Sequence, residues 1–312
     1  MSAPLPTEAD RPASLPRPGG GDGAPALPVT QPPAATVPGW VWGVLLVMPA
    51  LAMVALFFLY PLGLSALSAF QGRNGGWTLA NIAKAFELYS LDMAFTLAIV
   101  LLSSALVAVL SVAIGGYLTL GENRVAVTLL RWLYRWPLFI PFIVAAQMMR
   151  SFLAKNGLMN NLLIGGSVIE PLQAASLLDW RGVVVTFVWK QTPFVALMVA
   201  GAMASLDRST IEAARDLGAG RLRILGEIVV PQVRPTLVVG LILSFVTMLS
   251  VMSVPMMINP NSPTMITVDM AYRINAHGDY GVANALGFVS YAMAGLVGWF
   301  YLRHGVRQGG AR

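Results

Sequence analysis

The stretch IEAARDLGAGRLRILGEIVVP, residues 211–231, sets Glu212, Arg215, Asp216, Arg221, Arg223 and Glu227 between two long apolar blocks. Its setting is a 312-residue chain that is 56% hydrophobic and only 11% charged. Soluble domains hold about 25% charged residues, so a water-exposed globule is excluded. The apolar residues gather in six blocks, roughly 40–62, 93–120, 136–153, 183–206, 235–258 and 282–302. Each is about 18 to 28 residues long, enough to cross about 30 Å of hydrocarbon at 1.5 Å per residue. A lone segment in lipid must satisfy its own backbone polar groups, which only a helix does. The sequence therefore reads as an all-α integral membrane protein with six transmembrane helices.

The net charge of +6 is explained by orientation, and no nucleic-acid partner is expected. One set of alternate loops carries Arg124, Arg131, Arg135, Arg208, Arg215, Arg221, Arg223, Arg234, Arg303, Arg307 and Arg312. The other set carries Arg73, Lys84, Lys155, Arg181 and Arg273, with Arg150 close to that face. Basic residues collect on the cytoplasmic side, which places both termini, and the loop over 206–234, in the cytoplasm. Residues 1–37 are rich in Pro, Gly and Ala and read as a disordered cytoplasmic tail. Residues 38–312 form the transmembrane domain. The absence of cysteine excludes disulfides and thiol chemistry.

Within the charged loop the spacing predicts two short helices with a break. Ser209 or Thr210 is placed to cap the first, which runs over 212–217. Gly218 and Gly220 interrupt it, because glycine accepts the positive φ of a helix stop. A second helical run covers 221–230, and Pro231 and Pro235 mark the entry into the fifth span. A short amphipathic helix ending in a sharp turn suits docking into a partner's groove; a solvated loop helix has the same pattern.

The run Glu212-Ala213-Ala214, three residues, Gly218, nine residues, Ile228-x-Val230-Pro231 resembles the EAA loop of bacterial ABC importer permeases. It departs from that pattern in Val230, where leucine is usual. The resemblance covers most of the chain from the first span onward. It implies a type I ABC importer permease-like fold in a bacterial inner membrane. It also implies that Glu212, Ala213, Ala214, Asp216 and Gly218 belong to a coupling helix seated in a separate ATPase subunit. Further implied partners are a second permease subunit, identical or related, an extracytoplasmic solute-binding protein and membrane lipid.

Polar groups inside spans mark pathways or partners. Lys190, Gln191 and Thr192 in the fourth block, ahead of Pro193, are candidates to line a translocation path. Lys190 snorkelling outward, or pairing with Asp179 or Glu170, is the alternative. Trp189, Pro193 and Phe194 resemble a W-x-x-x-P-F segment of sugar-type permeases. In the fifth block Ser250 and Ser253, three apart, are expected to share a helix face and offer hydroxyls to a polar solute; helix packing is the competing role. Gln147 and Arg150 form a further polar pair in the third block. The outer loop over 259–287 is turn-rich at its start and loosely resembles a sugar-permease segment through Ser262, Pro263, Thr267, Tyr272 and residues 281–285. Asp269, Arg273 and Asp279 on it are candidates for contact with the binding protein.

No phosphate-binding G-x-x-x-x-G-K-[ST] run is present, so ATP hydrolysis falls to another subunit and the chain is not expected to be an enzyme. No cofactor or metal is expected, since His277 and His304 fall on opposite sides of the membrane. The expected solute is a sugar, an oligosaccharide or a glycerol-phosphate type compound. A polyamine is the alternative, because FLAKNGLMNNLL (152–163) and EAARDLGA (212–219) resemble that branch as well. A secondary transporter or channel is the reading from a different class.

Overall fold

The computed structural model describes residues 39–72 and 75–309; the tail expected over 1–37 lies outside the described residues. Among the described residues, five helical segments are long and apolar enough to cross a membrane, and six if one bent pair counts as a single span. The first is Gly43–Ala69, made of α1 (Gly39–Val54), a π turn (Ala55–Leu59) and α2 (Tyr60–Ala69). The others are α3 (Ala80–Leu120), α7 (Trp180–Ala204), the continuous run Arg221–Ser250, and Tyr280–Trp299 within α13 (Tyr280–Gly309).

Helix α3 has 41 residues, about 60 Å of helix, which is twice what hydrocarbon requires. Non-helical angles at Tyr89, φ −127° and ψ 15°, mark where it bends on entering the apolar block. Below that point α3 lies against α7. Two glycines of α3 leave room for neighbouring side chains: a Cβ on Gly115 would meet Met203 Sδ of α7 at 2.9 Å, and one on Gly116 would meet Leu225 Cδ1 at 2.7 Å.

The bent pair replaces the single helix expected over the third block. Helix α4 (Arg124–Leu133) and a 3₁₀ turn (Trp136–Phe139) meet α5 (Phe142–Leu153) and α6 (Leu158–Gly165) at 109°. Pro141 is the cause, since proline disfavours helical angles in the residue before it. Ile140 is extended, with ψ 121°.

The fifth block also differs from expectation at both ends. Its helix does not start at Pro235. Helix α9 (Arg221–Ile224), a π turn (Leu225–Val229) and α10 (Val230–Ser250) run on without interruption. The π turn sits just ahead of Pro231, whose missing N–H cannot close an α-helical bond. At the far end the helix stops at Ser250 and restarts as α11 (Ser253–Ile258), with Val251 extended at ψ 118°. Pro255 explains the site of the break, because its ring clashes with the carbonyl four residues upstream, that of Val251. Ser250 and Ser253 therefore do not share a helix face.

The loop over 259–287 is largely helical: α12 (Ile266–His277) ends at Gly278 in the left-handed region, φ 61°. Asp269 on α12 is 7% exposed, Arg273 Nε donates to the Tyr89 hydroxyl, and Lys84 Nζ donates to Asp279 Oδ2 at 2.7 Å. Burial pushes the Asp279 carboxyl up, but Lys84, the Val282 N–H and Arg273 outweigh it and hold it below its usual range. These three candidates for a docking surface are thus engaged inside the chain.

Burial, with the Asp92 charge beside it, raises the Asp269 carboxyl from 3.8 to about 7, against an opposing pull from Arg273. The folded chain then holds a proton that the unfolded chain has released, so stability falls as pH rises from about 4 to about 7. The effect is a few kcal/mol at most. Asp269→Asn is expected to flatten that slope, read as thermal midpoints in detergent at acidic and neutral pH. A slope unchanged by the substitution would assign it to another group.

Candidate functional site

Helix α8 (Arg208–Asp216) is built from both ends. Its N-cap is Asp207, not the expected Ser209 or Thr210. Asp207 Oδ1 accepts from the Ser209 N–H at 2.9 Å, and the Ser209 hydroxyl donates to Oδ2 at 2.7 Å. These bonds, the hydroxyl's first, hold the Asp207 carboxyl below its usual range. At the C-terminus the Ala219 N–H donates to Ala214 O and the Gly218 N–H to Arg215 O, at 3.0 and 2.8 Å. This Schellman arrangement requires a left-handed residue, and Gly218 supplies it with φ 81°.

One side chain of α8 anchors it. Ile211 is buried with Val107, Leu120, Met203, Ile224 and Val229, in the cluster shared by α3, α7 and α10. Arg215 Nη2 adds a bond to Leu120 O at 3.5 Å. Glu212, Ala213, Asp216 and Gly218 are exposed, and Ala214 is half-buried. Leu217 and Leu222 flank the Gly218 turn at 89% and 85% exposed. Sequence reading passed over both, since an apolar residue in an apolar chain carries no signal until its exposure is known. A charged helix with two bare leucines at its tip combines the exposed apolar and charged groups common at protein interfaces.

The path candidates are placed differently. Lys190 is 7% exposed; its Nζ donates to Pro137 O at 2.5 Å and Leu138 O at 3.4 Å, and lies 5.1 Å from the Phe142 ring centroid. It pairs with neither Asp179 nor Glu170; Asp179 binds Arg181 instead, at 2.7 Å. Gln191 is 5% exposed and reaches Ser244 O at 3.5 Å. The Ser250 hydroxyl returns to Val246 O at 2.8 Å.

A cavity of about 780 Å³ opens beside them, lined in part by Gln147, Met148, Ser151, Trp189 and Met257. Lys190, Gln191, Ser250 and Ser253 do not line it. Lys190 instead holds the carbonyls freed at the bend of the third span. Lys190→Met is expected to lower stability by about 1–2 kcal/mol, as a charge-assisted bond is lost. A detergent thermal melt at the wild-type midpoint would show that the amine does not hold the bend.

A bundle of long apolar helices with an exposed charged helix between its fourth and fifth spans defines the class as an integral membrane protein. The family described as binding-protein-dependent transport system inner membrane component matches residues 111–302, and the chain belongs to it. The sulfoquinovosyl glycerol transport system permease protein SmoG of Agrobacterium fabrum is 33% identical over 128 residues, 40% of this chain and 42% of that protein. That match thus spans less than half of the relative's length. The sn-glycerol-3-phosphate transport system permease protein UgpA of Yersinia pestis is 30% identical over 264 residues, 76% of this chain and 83% of that one. Among solved structures, a bacterial ABC transporter involved in import of the acidic polysaccharide alginate superposes with a TM-score of 0.71 at 19% identity. The superposition covers 86% of this chain and 96% of that one.

Proposed function

We propose that the chain is the translocation subunit of an ATP-driven, binding-protein-dependent importer for a polar solute of the sugar or glycerol-phosphate class. The observation that carries this is α8, with exposed Glu212 and Ala213 on its flank and Leu217 and Leu222 bare at its glycine-stopped tip. In this reading α8 faces the cytoplasm, both termini lie on that side, and an ATPase subunit covers the docking surface. Glu212, Ala213, Ala214, Asp216 and Gly218 transmit its closure to the spans. Ile211 carries the motion inward, because it is packed on α7 and on the helix that becomes α10.

The cavity beside Trp189 forms part of the path, completed by a second permease subunit. Gln147 and Ser151 offer hydrogen bonds there, and the Trp189 ring offers a face to the apolar side of a sugar. Lys190 and Gln191 serve it by fixing the bend and the α7–α10 contact. The solutes named for the two relatives and the alginate importer support the sugar and glycerol-phosphate class; the polyamine alternative finds no support among them.

Uptake of labelled maltodextrin, glycerol 3-phosphate and spermidine, in cells with and without the gene and before and after ATP depletion, tests the reading. Gene-dependent uptake that stops on depletion is expected for one of the first two. Uptake surviving depletion would favour a secondary transporter.

A further inference from the structure

At the end of the bundle that carries α8, a second cavity of about 840 Å³ lies among the last turn of α3, α4, the final turns of α7, and α8. Its lining includes Arg124, Arg131, Arg135, Arg208 and Arg215, with Glu212. Four of the arginines come from two helices: Arg124 and Arg131 stand seven apart on α4, and Arg208 and Arg215 seven apart on α8, while Arg135 lies just past the end of α4. Such spacings hold to one face of a helix.

Val125, Leu129 and Trp132 of α4 are exposed as well, at 77%, 54% and 57%, and line a separate recess with Arg124.

Among the described residues, none of these five guanidinium groups makes an ion pair. Arg135 Nε meets the Tyr134 hydroxyl at 3.2 Å, and Arg215 meets only the Leu120 carbonyl. Their neighbours at the same end behave otherwise. Arg221 pairs with Glu122 at 2.5 Å and Arg223 with Glu227 at 2.9 Å. Orientation in the membrane requires basic residues at this end, but does not require five to converge on one concavity while carboxylates are spent elsewhere.

We infer that this cavity is a binding site for a tetrahedral oxyanion of the phosphate or sulfonate class. Guanidinium forks donate paired hydrogen bonds to such oxygens, and arginines clustered around one recess concentrate anions. The site joins α4 to α8, so an occupant ties the docking helix to the bent third span. Two sources carry this chemistry: the charged group of a solute in transit, which rests on the importer reading, and the headgroup of an acidic lipid.

The test uses the full chain in phosphatidylcholine nanodiscs, titrated with sn-glycerol 3-phosphate and with glycerol. Saturable binding of the first alone is expected, weakening with added salt. It should fall about tenfold or more in Arg131→Gln/Arg135→Gln and be partly restored by Arg131→Lys/Arg135→Lys. A parallel arm measures phosphatidylglycerol retained by the same proteins from mixed nanodiscs. Retention lost in the Gln pair, without glycerol 3-phosphate binding, assigns the site to the lipid headgroup.

Should the Gln pair not fold, competition of glycerol 3-phosphate by inorganic phosphate on the unaltered chain decides, and binding indifferent to phosphate and salt overturns the inference. Equal glycerol and glycerol 3-phosphate binding, with phosphatidylglycerol retention unchanged by the substitutions, overturns it too. ATP-dependent uptake of a neutral sugar would in that case leave the importer reading standing. Oxyanion binding by a chain without ATP-dependent uptake would do the reverse.

Discussion

Gly218→Val is expected to reach the membrane in normal amount and to lose roughly nine-tenths or more of its ATP-driven uptake. Gly218 has φ 81°, and a Cβ there would meet nothing within 4 Å, so the penalty is one of backbone conformation alone. A β-branched residue held in the left-handed region costs about 1–3 kcal/mol. The chain escapes that cost by giving up the two bonds that close α8, from Gly218 to Arg215 and from Ala219 to Ala214. Leu217 and Leu222 then leave their relative placement, and about 2 kcal/mol against the docking shape lowers its population roughly thirtyfold. The spans are untouched, which is why insertion survives. Gly218→Asn, which tolerates positive φ, should recover much of the loss. Membrane abundance by immunoblot, set against uptake, checks both variants; full uptake by the valine variant would remove α8 from the coupling role.

Asp92→Ala is expected to be the most destabilising single truncation on the opposite end of the bundle, by about 3 kcal/mol. Asp92 is 3% exposed. Its Oδ1 accepts the Thr264 N–H at 2.7 Å and the Ser262 hydroxyl at 3.1 Å, and Thr96, one turn on, accepts the Ile266 N–H at 3.0 Å. Together they fasten α3 to the turn that launches α12. Alanine leaves the Thr264 amide buried without a partner, which costs more than the bond itself was worth. Asp92→Asn keeps an acceptor oxygen and removes the charge facing Asp269, so its loss should be clearly smaller. Thermal midpoints of the two variants in detergent decide it. Equal losses would mean that the charge, and not the acceptor, holds the turn.

The helices and the charged stretch stopped by a glycine were legible in sequence because each rests on local chemistry. Lipid forces the apolar blocks into helices, and the glycine after α8 announces a left-handed stop. The bend at Pro141 and the break ahead of Pro255 were written there too, in the residues each proline constrains, but the apolar blocks run unbroken across both and hide them. The caps show the limit of residue type. Asp207, Ser209 and Thr210 are all able to cap, and the choice fell to the one whose backbone turns extended, φ −66° and ψ 117°.

What the sequence determined by itself was therefore the class of molecule, the number of apolar blocks and the charged helix stopped by a glycine, since these follow from periodicity and composition along the chain. Tertiary structure alone decided the polar partners. Lys190 finds the carbonyl of Pro137, 53 positions away, and Asp92 finds Thr264, 172 away. It also decided that two leucines stand bare and that five arginines share one cavity. Burial and partnership belong to the packed arrangement of helices, and no residue carries them in its own chemistry.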